Sequence, residues 1–97
     1  MPVTTDHDVI RKWIEEREGR PARVRDTEDK QGGLIRVDYP GFSGEALQTI
    51  SWEEFFEAFE ANNLAFLYQD HKKDGSESRF SRLIDRDSVK EKKGDNK

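Results

Sequence analysis

The order of elements legible in this chain, helix–strand–strand–helix–strand–strand, predicts an α+β fold: two helices packed on one face of a small, mostly antiparallel sheet of three to four strands. Three observations carry that expectation. Two segments repeat apolar residues at helical spacing behind recognisable capping residues, others alternate or run apolar in the manner of strands, and the connections are short. Ninety-seven residues have room for one core. We therefore expect a single domain over residues 1–87 and a charged, disordered tail over 88–97.

In the first helix, about residues 6–18, Thr5 and Asp8 have the spacing of an N-cap and its capping-box acid. Val9, Ile10, Trp13 and Ile14 fall in one arc of the helical wheel, which marks the core-facing stripe. Gly19 is placed for a left-handed C-cap, and Pro21 forbids continuation. A short strand follows at Ala22–Asp26, then a polar loop over Thr27–Gly33. In Leu34–Tyr39, Ile35, Val37 and Tyr39 share one strand face while Arg36 and Asp38 share the other. Pro40-Gly41 ends it, and a loop through Phe42, Gly44 and Leu47 leads on.

The second helix carries the clearest local code. Ser51 is the N-cap, Glu54 completes the capping box, and Ile50 with Phe55 occupy the two positions of a hydrophobic staple. Trp52, Phe55, Phe56 and Phe59 cover an arc of about 100°. Asn62-Asn63 provides the exit. Leu64–Tyr68 is apolar on both faces, as an interior strand is. Asp74-Gly75 marks a hairpin turn, and the return strand spans about Ser78–Ile84, with Phe80 and Ile84 on one face and Leu83 on the other. Trp13, Phe55, Phe59 and Phe66 are the expected core.

Composition narrows the function classes. There is no cysteine, which excludes disulfides and thiolate metal sites. No segment approaches the roughly 20 apolar residues of a membrane span. Met1–Asp6 lacks the basic and apolar regions of a secretory signal, so a cytoplasmic location is expected. The net charge of −4 conceals an uneven distribution. Residues 37–70 hold seven acids and no Lys or Arg, whereas residues 71–97 hold nine basic and six acidic side chains.

Catalysis needs a nucleophile beside a base or a preorganised cleft, and neither is signalled. The two histidines, His7 and His71, read as solvated surface residues. Gly32-Gly33 precedes a strand, whereas a phosphate loop follows one. No enzyme activity, cofactor or metal is expected.

Two binding readings remain. Leu34 and Leu67 would point away from the helices and leave a partly apolar sheet face open, next to an acidic flank formed by Glu53, Glu57 and Glu60. This predicts a protein-interaction or self-association module. The alternative is weak nucleic-acid binding: Arg20, Arg23 and Arg25 flank the first strand, and Arg79, Arg82 and Arg86 lie along the last. If those strands are neighbours they build an arginine-rich face, although a pI near 5.2 opposes that reading.

The stretches Ile10-Arg11-Lys12-Trp13, Arg20-Pro21-Ala22, Asp38-Tyr39-Pro40-Gly41, Ile50–Phe56, Asn63–Gln69 and Ser78-Arg79-Phe80 together resemble a family of short uncharacterised bacterial proteins, over roughly residues 5–86. Some of its members carry a 1,4-α-glucan branching enzyme label. That activity needs a large barrel with a carboxylate site, for which this length has no room. The resemblance implies no site residue.

Overall fold

The computed structural model describes residues 2–27, 32–41 and 46–88. Its elements in chain order are β1 (Val3–Thr4), α1 (His7–Glu16), β2 (Arg20–Val24), β3 (Ile35–Asp38), β4 (Leu47–Thr49), α2 (Trp52–Ala61), β5 (Leu64–Tyr68) and β6 (Ser81–Asp85). Beyond β6 the chain turns helical over 86–88. The fold is α+β with antiparallel pairing, but the six strands among the described residues form two sheets where the sequence predicts one. One sheet has the order β1-β5-β6 and the other β3-β2-β4. The division has a physical cause. Each central strand has its second edge taken by a strand of two or three residues, β1 on β5 and β4 on β2. Neither is long enough to show a period of two.

The same short strands shift the element ends. Because β1 runs to Thr4, α1 is capped by Asp6 and not by Thr5. The Asp6 carboxylate accepts the amides of Asp8 at 3.0 Å and Val9 at 3.3 Å. At the other end Glu18, with φ 63°, takes the left-handed position expected of Gly19. Gly19 is required for space instead: a Cβ there would stand 2.7 Å from Ile14 Cγ2 and 2.9 Å from Tyr39 Cε1. The capping box of α2 forms as read, with the Ser51 hydroxyl accepting the Glu54 amide at 3.0 Å and the Ser51 amide donating to the Glu54 carboxylate at 3.2 Å. Asn63, with φ 54°, provides the left-handed exit.

Both helices supply the same core: Ile10, Trp13 and Ile14 from α1, and Phe55, Ala58 and Phe59 from α2, close around Ile35, Ile50 and Phe66. All four aromatic residues expected to be buried are buried. Some aromatic pairs meet edge to face, as Trp13 and Phe66 do at 5.4 Å, and others stack, as Phe66 and Tyr68 do at 5.6 Å. The hairpin turns at Gly75, φ 90°, with the Lys72 amide donating to Ser76 O. In β6 it is Leu83 that packs on the core, while Phe80 is 43% exposed. The expected tail lies outside the described residues apart from Ser88, as do Phe42 and Gly44 of the expected loop.

Candidate binding cleft between two sheet edges

The division into two sheets creates the feature with most chemical content. β3 ends one sheet and β6 ends the other, and among the described residues no strand pairs with their outer edges. Between them lies a cleft of about 380 Å³ lined by Arg36, Val37, Tyr39, Phe66, Ser81, Arg82 and Leu83.

Register fixes which groups face it. Antiparallel strands alternate between residues that exchange backbone hydrogen bonds with a given neighbour and residues that do not. The Val24 amide donates to Leu34 O at 2.8 Å, and Arg36 and Asp38 follow Leu34 on the β2 side of that alternation. The backbone groups of Ile35, Val37 and Tyr39 therefore turn to the cleft. Likewise the Gln69 amide donates to Phe80 O at 3.1 Å and the Arg86 amide to Asn63 O at 2.8 Å. Arg82 and Ile84 thus bond to β5, and Ser81, Leu83 and Asp85 present their amides and carbonyls at the open edge.

Side chains alternate too. Ile35, Val37, Tyr39 and Leu83 pack on the core, so the cleft floor is apolar, with fully buried Phe66 at its base. Arg36 and Arg82 stand on the solvent side of the two flanking strands. Arg36 folds over its own edge and donates to Ile35 O at 3.0 Å. Tyr39 and Ser81 reach across with their hydroxyls 3.4 Å apart. Burial pushes the Tyr39 phenol up from its ordinary value, opposed by the Ser81 hydrogen bond and by the charges of Arg17 and Arg79. The phenol stays protonated, and the Arg79 charge acts on the same group.

The expected interaction surface is redistributed. Leu67 lies on the solvent side of β5, in register with Val3 and Arg82, whereas Leu34 adjoins β3 in the other sheet. The two do not share a face. Glu60 is not uncompensated: it binds Arg86 through Nη1 at 3.2 Å and Nη2 at 3.1 Å, and His7 Nε2 at 2.7 Å. These bonds hold its carboxyl below the usual value, the Arg86 hydrogen bond first. Glu53 and Glu57 remain exposed on α2. His7 is more than a solvated residue, since it also stacks on Phe56 with centroids 4.1 Å apart.

The arginines are divided in the same way. Arg20, Arg23 and Arg25 belong to the β2 region of one sheet, and Arg79, Arg82 and Arg86 to the β6 region of the other, so no single arginine-rich face forms across neighbouring strands. Arg20 and Arg25 are exposed, Arg23 donates to Gly32 O at 3.3 Å, and Arg86 is committed to Glu60 and to Leu64 O.

One residue escaped the sequence reading. Arg17 is 4% exposed and donates to the carbonyls of Trp13 at 3.0 Å, Asp70 at 3.1 Å and Ser78. It ties α1 to the hairpin. The signal was available: Arg17 continues the Ile10, Trp13, Ile14 stripe at helical spacing, where a guanidinium needs partners.

Among the described residues no helix is long and apolar enough to cross a membrane, and no cluster of His, Asp or Glu is arranged to hold a metal. No protein-family model, curated protein or solved structure matches this chain.

Proposed function

We propose that this protein is a non-catalytic interaction module that takes up an extended segment of another protein along the β6 edge of the cleft. One observation supports this above the others: the backbone groups of Ser81, Leu83 and Asp85 sit at an edge that no described strand covers, beside an apolar floor. An added strand gains main-chain hydrogen bonds from the edge and specificity from the pocket beside it. The described lining includes two hydroxyls but no histidine, lysine or carboxylate, so it holds recognition groups and not an acid–base pair.

The test begins with selection of a random peptide display library on the immobilised protein. Amide exchange is then followed by NMR with one recovered peptide. Strand addition requires that the Leu83 amide exchange readily in the free protein and become protected on binding, while Arg82, already bonded to β5, changes little. Peptides that bind and leave Leu83 unprotected remove the reading, as does a library that enriches nothing.

A further inference from the structure

We infer that the segment taken up at β6 is acidic on its solvent side and apolar on its inner side. The inference rests on the strand-addition reading and names its specificity. A strand added beside β6 continues the pleat, so its alternate side chains project to opposite sides of the sheet. On the inner side they meet Val37 and Leu83 above the buried Phe66, which favour an apolar residue. On the solvent side they lie between Arg36 and Arg82. Arg79 adds a third positive charge at the Tyr39 end, where its field reaches the phenol. Arg82 is exposed on β6 beside Leu83, so its guanidinium stands where the solvent-side residues of the segment pass and can donate to a carboxylate there. Asp85 occupies the far end of β6 and sets the polarity, directing the acidic positions of the segment toward Arg79 and Arg82.

Charge complementarity favours an acidic peptide over nucleic acid. The protein as a whole carries −4, and α2 exposes Glu53 and Glu57, so a long polyanion meets repulsion outside the cleft that a short segment avoids.

The experiment titrates the protein with three synthetic peptides of about seven residues, the length of a strand, in which Val alternates with Glu, with Gln or with Lys. Single-stranded oligothymidylate is the fourth probe, and binding is read by amide shifts at low and moderate salt. The expected result is that the Val/Glu peptide binds at least about tenfold more tightly than Val/Gln, with shifts centred on Leu83 and Val37. Arg82→Gln should shrink that ratio, and Arg82→Glu should transfer the preference to Val/Lys. Arg82 is exposed, so both variants keep the core intact; their dispersed spectra verify it. Equal binding of the Glu and Gln peptides overturns the acidic preference and leaves strand addition standing. No binding by any peptide overturns both. Salt-sensitive oligonucleotide binding at Arg79 and Arg82, with no response to Val/Glu, replaces the inference with nucleic-acid recognition.

Discussion

The Arg17 guanidinium lies 3.9 Å from the centroid of the Trp13 ring, one helical turn along α1. The indole in turn donates from Nε1 to Asp70 Oδ1 at 3.0 Å. Arg17 and Trp13 thereby grip both sides of the hairpin, because the arginine also reaches the carbonyls of Asp70 and Ser78.

Removing this grip takes the Arg17 donors from the buried carbonyls of Trp13 and Ser78, while Asp70 O keeps the Ser78 amide at 3.0 Å. Arg17→Ala is therefore expected to destabilise the fold by about 3 kcal/mol, combining lost charge-assisted hydrogen bonds with stranded acceptors. Arg17→Lys should recover only part of it, since an ammonium cannot bond at the guanidinium's spread of positions or stack on the ring in the same way. Urea denaturation measures both. A loss below about 1 kcal/mol for the alanine variant would show that Arg17 occupies the site without supporting it.

Phe55 and Phe80 offer a matched contrast in one residue type. Phe55 is fully buried and touches Trp52 edge-to-face at 5.4 Å. Phe55→Ala should cost about 3–5 kcal/mol. Phe80 is half in solvent, and Phe80→Ala should stay within about 1 kcal/mol. Similar losses at both positions would contradict the burial pattern.

Glu60 predicts a pH dependence. Its partners Arg86 and His7 lower its folded-state pKa, so the unfolded chain takes up the proton more readily. The stabilisation is complete above the ordinary glutamate value of 4.5 and fades as the pH falls through the lower folded value. With a side chain nearly half exposed, solvent screens the pair to no more than about 1 kcal/mol. Glu60→Gln should lower stability at neutral pH by that amount and flatten the acid limb of a stability–pH curve. A variant whose acid limb matches the parent's would assign that limb to other carboxylates.

How much of this could be read beforehand follows from the range of each interaction. The Ser51 and Glu54 box and the Asn63 exit are local in sequence, and both are legible as written. The cap of α1 is not, because moving it from Thr5 to Asp6 depends on β1 pairing Val3 and Thr4 with Leu67 and Phe66, far along the chain. His7 meets Glu60 only through tertiary packing. The cleft is further still from sequence. Val37 and Leu83 each sit in a readable strand, but being an edge is a property of what pairs with the strand and leaves no residue pattern of its own. Arg82, singled out for charge, reaches the cleft for a reason its sequence neighbours do not show.

Gly19 connects α1 to the cleft. An alanine there sets its Cβ 2.7 Å from Ile14 Cγ2 and 2.9 Å from Tyr39 Cε1, closer than real Cβ contacts come. Ile14 is fully buried and has little room to move, so the ring of Tyr39 must yield, carrying its hydroxyl away from Ser81. Gly19→Ala should thus destabilise by about 1–3 kcal/mol, the range for overpacking, and shift the Tyr39 ring resonances together with the Ser81 amide. Gly75→Ala is the control. Its φ of 90° strains an alanine, but nothing lies within 4 Å of the added methyl. That variant should lose about 1 kcal/mol and leave Tyr39 undisturbed. If Gly19→Ala moves stability without moving Tyr39, the methyl is absorbed at Ile14, and the first helix does not set the wall of the cleft.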